Sequence, residues 1–188
     1  MNKTVRLCRL FLLPAVCMLF CGCALLSDPE QTETRYFDLK CPEQIVSMPI
    51  DVREFTSMSG ERFRMFVRKN ETSIHSSEFH KWIQTPGSLV TKYLRLAYRE
   101  NAADKAQPEH PVQLRGEVLL FETHGGCAEL GVRYLLKLNE RILGRTVLLK
   151  EKMEKTGPEA FADAMSRAVR RFALQIAAEA KALQTERN

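Results

Sequence analysis

Three stretches in the second half of the chain form its clearest predicted β region. They are residues 112–123, 128–139 and 145–155, and in the middle one apolar and polar side chains alternate with a period of two: Leu130, Val132, Tyr134, Leu136 and Leu138 alternate with Glu129, Arg133 and Lys137. Successive strand residues point to opposite faces, so this spacing predicts a sheet packed on one side and wet on the other. Gly125-Gly126 and a turn ending at Gly144 separate the stretches, which predicts an antiparallel meander. After Gly157-Pro158 the period lengthens. Phe161, Met165, Ala168, Phe172, Ile176, Ala180 and Leu183 keep a three-and-four spacing, while Arg167, Arg170, Arg171 and Lys181 point away, as in one long amphipathic helix. A shorter helix starts at Thr85-Pro86, a capping residue followed by a ring pre-set for the first turn. Its apolar face is Leu89, Val90, Tyr93, Leu94 and Ala97.

The first half is less regular. Residues 35–39 form a short predicted strand and residues 45–55 a second, interrupted by Pro49, which cannot donate to a ladder. A bend at residues 57–60 precedes a third strand, in which Phe63, Met65 and Val67 alternate with Arg62, Arg64, Phe66 and Arg68. The second and third are expected to be antiparallel neighbours, and residues 101–110 a polar surface loop. Strands, a helix, three antiparallel strands and a helix predict an α+β domain: a mainly antiparallel or mixed sheet with two helices packed on one face.

The N-terminus has a different logic. Residues 1–9 carry Lys3, Arg6 and Arg9 without an acid, and residues 10–20 are apolar throughout. As a helix this run spans about 16 Å, half a bilayer core, so it reads as an export signal and not as a permanent span. It closes with Cys21-Gly22-Cys23, which resembles a bacterial lipobox. The resemblance implies cleavage after residue 22, a diacylglyceryl group on Cys23 and acylation of the new amine. Each buried methylene contributes about 0.8 kcal/mol, so two or three chains anchor a protein where one does not. The expected organisation is a signal peptide over residues 1–22, a lipid-anchored tether over 23–34 and one domain over 35–188. The tether reaches at most about 40 Å, which keeps the domain near its membrane. Ala24 follows the lipid site where an Asp would signal inner-membrane retention, and by resemblance to enterobacterial sorting this implies the periplasmic face of the outer membrane.

Charge and cysteine content change once the signal is set aside. It carries three of the 28 basic residues and none of the 23 acidic ones, so no nucleic-acid footprint remains. Of six cysteines, three lie in the signal and Cys23 takes lipid. Cys41 and Cys127 are left, and in an oxidising compartment the alternatives are a disulfide between them or two individually buried thiols.

Four stretches in order carry a wider resemblance: Tyr36-Phe37-Asp38-Leu39; Ser77-Glu78-Phe79-His80-Lys81-Trp82 followed by Pro86; Gly116-Glu117-Val118-Leu119-Leu120-Phe121-Glu122; and the last helix around Ser166-Arg167-Ala168. Together they resemble the ABC-type transport auxiliary lipoprotein family, to which the paraquat-inducible lipoprotein belongs. The resemblance implies a non-enzymatic subunit of an envelope lipid transporter. Its expected partners are ABC transporter and mammalian-cell-entry (MCE) type subunits, with the membrane reached through the lipid anchor. Homo-oligomerisation is left open. The alternative is a lipoprotein that itself binds a lipid or small apolar ligand in a pocket.

Chemistry-bearing motifs are sparse. The four histidines offer only the loose pair His124 and Cys127 at metal-like spacing, and no nucleophile elbow, phosphate loop or zinc-protease helix occurs. No catalytic residue, metal or cofactor is assigned. The expected partner surface is Phe55, Arg64, Phe66, Arg68 and Trp82, with the arginines steering an acidic surface. Trp82, just before a helix start, either closes the end of the core or anchors the partner.

Overall fold

The three stretches that read as a meander become the longest strands. The computed structural model describes residues 33–43, 50–58, 63–98 and 111–185. In chain order the elements are β1 (Arg35–Phe37), β2 (Ile50–Val52), β3 (Thr56–Ser57), β4 (Arg64–Arg68), β5 (Ile74–Trp82), α1 (Pro86–Ala97), β6 (Val112–His124), β7 (Cys127–Leu138), β8 (Arg141–Lys152) and α2 (Pro158–Thr185). All eight strands join one mixed sheet of order β1-β5-β4-β6-β7-β8, with β2 and β3 also paired to β6. The two helices cover one face, so the α+β layering read from the sequence holds. The signal peptide, Cys23, the tether to residue 32, the strand segment 45–49, the bend residues 59–60 and the loop 101–110 lie outside the described residues.

The covered face is apolar and closed. Ala128, Leu130, Val132, Tyr134, Leu136 and Leu138 of β7 are buried, and so are Phe161, Met165, Ala168, Phe172, Ile176 and Ala180 of α2. Aromatic rings lock the layers edge to face. Trp82 sits between Phe121 and Phe161 at 5.0 and 5.2 Å, and Phe172 packs on Tyr134 at 5.3 Å and Phe55 at 6.2 Å. Polar contacts fix α1. The Thr85 hydroxyl caps it by accepting from the Ser88 N–H at 3.2 Å, and the Gly87 N–H donates to Ser57 Oγ at 2.6 Å. The Phe55 N–H donates to Thr91 Oγ1 at 2.9 Å, and Tyr98 joins the helices by donating to the Ala173 carbonyl at 2.7 Å. Gly116 leaves room for this arrangement, because a Cβ there would run into the Phe55 ring and the Arg133 carbonyl.

Three expectations change. The expected antiparallel neighbours do not pair: β2, β3 and β4 all run parallel to β6, opposite Val112–Leu114, Glu117–Val118 and Glu122–His124 in succession. β3 and β4 therefore run in the same direction along β6, so the chain is not reversed between them. The break between β2 and β3 is where Phe55 leaves the sheet for the core. The last hairpin turns at Asn139-Glu140 and not at Gly144, because Asn139 adopts the left-handed conformation (φ 53°) and Gly144 pairs with Leu135 inside β8. Finally, β5 is a nine-residue strand that period-two reading missed. It is polar along much of its length and bulged against β4, so its faces do not alternate.

Candidate interaction surface

Every second residue of β7 and β8 points away from the helices, and β6 does the same with its phase shifted by a bulge between Val118 and Leu120. On β7 these are Cys127, Glu129, Gly131, Arg133, Leu135 and Lys137, and on β8 they include Ile142 and Leu148, which are 64% and 50% exposed. On β4 the register with β6 turns Arg64, Phe66 and Arg68 the same way, while Met65 goes into the core.

Charges on this face hold one another. Arg68 forms a two-pronged pair with Glu122, the second contact being Nη2 to Oε2 at 3.0 Å. The hydrogen bond to Glu122 raises the guanidinium's affinity for its proton above the usual arginine value, against burial, which lowers it. Glu122 stands directly across from Glu129, and both are buried. Two carboxylates side by side repel, and Lys150 offsets this by reaching Glu129 at 2.6 Å, with His124 Nδ1 a further 3.4 Å from the same oxygen. Arg133 pairs with Glu117 in the same way nearer the other end. This cluster was missed in the sequence. The signal was present: a tight turn at Gly125-Gly126 places residues 122 and 129 opposite each other.

The five residues expected to meet a partner do not form one surface. Phe55 is 2% exposed and Trp82 fully buried, so both are core residues, drawn in by the aromatic packing that closes the sheet–helix layer; of the two roles read for Trp82 it takes that of closing the core. Arg68 is engaged by Glu122, and only Arg64 and Phe66 remain on the open face beside it. Arg64 donates to Ser76 at 3.4 Å. Neither of the two alternatives for the cysteines is found. Cys41 and Cys127 are free thiols, the first exposed and the second half-buried, which overturns both alternatives, since Cys41 lies beyond β1 and Cys127 at the β6–β7 hairpin.

Among the described residues, two of the clefts lie against the sheet. One, of about 600 Å³, lies on the open face over Leu135 and Gly144, rimmed by Arg115, Glu117, Arg133 and Thr146. The other, of about 410 Å³, opens at the start of α2 and has Met65, Val67, Met153 and Phe161 in its wall and Ser77 and His80 on its rim. Ser77 Oγ lies 2.9 Å from His80 Nδ1 and also accepts the His80 N–H at 3.0 Å. These are local contacts three residues apart that brace the β5 bulge. Among the described residues, no three His, Cys, Asp or Glu side chains converge as a metal site needs.

A model of the family described as the ABC-type transport auxiliary lipoprotein component matches residues 60–177, from just before β4 to the middle of α2. Among solved structures the chain is similar to an uncharacterized protein with a TM-score of 0.63 and 14% identity, covering 78% of this chain and 98% of that one. It is also similar to protein XCC0632 from Xanthomonas campestris, of the family DUF330, with a TM-score of 0.60 and 17% identity over 77% of this chain and 92% of that one. At these identities the likeness is one of fold. No curated protein matches the chain significantly.

Proposed function

The chain belongs to the family of ABC-type transport auxiliary lipoprotein components, and we propose that it is the lipid-anchored, non-enzymatic subunit that positions an MCE-type lipid transporter at the periplasmic face of the outer membrane. The observation that carries the reading is the division of labour across the sheet. One face is filled by two helices and a continuous aromatic core, and the other presents an open surface on which the buried carboxylates Glu122 and Glu129 are held by Arg68 and Lys150, and Glu117 by Arg133, so that these groups serve as shape and fixed charge. Such a surface suits protein docking. Arg64 and Phe66 belong to it, whereas Phe55 and Trp82 support it from within. Anchorage through Cys23 and a short tether would hold that surface near the lipid.

The test is capture from membranes of the full-length, affinity-tagged chain. An MCE-type subunit should co-purify with it from outer-membrane fractions, and Cys23→Ala should leave the membrane after a high-salt wash once its signal is cleaved. Recovery with inner-membrane fractions alone, or no transporter subunit in the eluate, would refute the proposal. The 410 Å³ cleft favours a second reading, a carrier that binds an apolar ligand itself, since ligand pockets span roughly 300–1,000 Å³ with mainly apolar walls. Stoichiometric phospholipid retained by the protein after removal of its anchor would promote that reading over the first.

A further inference from the structure

The two ends of the sheet are finished differently. At one end β1 is three residues long, whereas at the other β8 runs for twelve with no strand beyond it among the described residues. A long bare edge is a template for pairing unless it is blocked. Part of this edge is blocked. Arg167 of α2 donates to the Lys152 carbonyl at 2.7 Å and Arg171 to the Lys150 carbonyl at 3.2 Å. These contacts also show which backbone groups face outward. They belong to the even-numbered residues, in keeping with Met153, whose N–H bonds inward to Gly126. Ile142, Gly144, Thr146 and Leu148 therefore turn their N–H and C=O groups to the open edge, and no α2 arginine caps them.

The unblocked stretch is symmetric about its own centre. Around Arg145, Gly144 balances Thr146, Leu143 balances Val147, and Ile142 balances Leu148. We propose that residues 142–148 pair antiparallel with the same stretch of a second copy of this chain, on a two-fold axis through Arg145. In that register Ile142 lies opposite Leu148 of the second copy and Gly144 opposite Thr146, and each pair exchanges two backbone hydrogen bonds. The most exposed apolar side chains of β8 are then set against each other.

Two further features fit this occupant. Leu174, 48% exposed, follows Arg167 and Arg171 on one stripe of α2, the stripe that overhangs the β8 edge. A two-fold brings the two Leu174 stripes toward each other. The register also sets Glu140 against Lys150 of the second copy. The one like-charge meeting, Arg145 with itself, is softened because each Arg145 already lies 3.5 Å from Glu179 of its own helix. A self-complementary patch of this kind makes a closed dimer.

Cross-linking in the native membrane decides the matter. In the full-length chain carrying Cys41→Ser and Cys127→Ser, Arg145→Cys places one thiol opposite its own copy at a non-hydrogen-bonded position. Oxidation should give about tenfold more dimer, on non-reducing gels, than Arg141→Cys, whose thiol would face Leu149, because disulfide geometry tolerates little displacement. The parent without Arg145→Cys controls for any contribution from Cys23. Adding Leu148→Asp should abolish the product, and light scattering of the detergent-solubilised wild type should give twice the monomer mass. Equal cross-linking at 141 and 145, persistence with Leu148→Asp, a monomeric mass, or a cross-link to a different protein would each overturn the proposal.

Discussion

The two faces of the sheet carry different currencies of stability. On the helix-covered face Leu130, Val132, Leu136 and Phe172 are fully buried, and the layers are held by apolar area and ring contacts. On the open face burial falls on charged groups: Glu122 and Glu129 are 4% and 5% exposed, and what holds them is paired charge. The difference teaches that a strand face left without a helix need not be loosely solvated. It can be a polar lattice in which each member depends on the next, and it is brittle to the loss of one partner in a way that a simple solvated face is not.

The largest effect is expected on the covered face. Phe172→Ala removes the ring shared by Phe55 and Tyr134 and should lower unfolding stability by about 3–5 kcal/mol in urea titration. Next comes the open face at its most buried point. Arg68→Ala leaves Glu122 without its countercharge beside Glu129, and because the arginine is 19% exposed the cost should be about 2–3 kcal/mol, somewhat below a fully buried pair. If that cost is instead near zero, the two faces do not differ as described. For this reason reversing Arg68 is a poor probe of partner binding, and Arg64 is the better one.

A third test separates the faces by pH. Burial, first of all, holds the Tyr98 hydroxyl well above the ordinary phenol range. The unfolded chain ionises that group near pH 10 while the folded chain does not, so its share of stability is intact below about pH 10 and lost progressively as pH rises further. Tyr98→Phe should therefore cost about 1 kcal/mol near neutrality, through the lost bond to Ala173, yet show a shallower decline than wild type above pH 10. Alkaline denaturation curves of the two proteins check this. The smallest effect is expected at Arg133, whose pair with Glu117 is 62% exposed on the arginine side. Arg133→Ala should change stability by about 0.5 kcal/mol or less in the same titration.

Periodicity by itself determined which residues of β7 and α2 face the core, since a side chain's direction along a regular element follows from its spacing. The Thr85 cap and the apolar face of α1 were legible for the same reason, as local contacts within one turn. The family resemblance was legible too, from four short stretches in order, two of which fall on β6 and α2 and two on β1 and β5. What only the tertiary structure decided were pairings between distant segments. The parallel run of β2, β3 and β4 along β6 depends on the connection through α1 and on Phe55 being drawn into the core, neither of which leaves a period in the sequence. Phe55 looks like a surface candidate and Trp82 fits either the core or a partner until the rings around them are in place, and Arg68 looks like a free charge until Glu122, 54 residues away, meets it. A residue's face is a local property, but its partner is not.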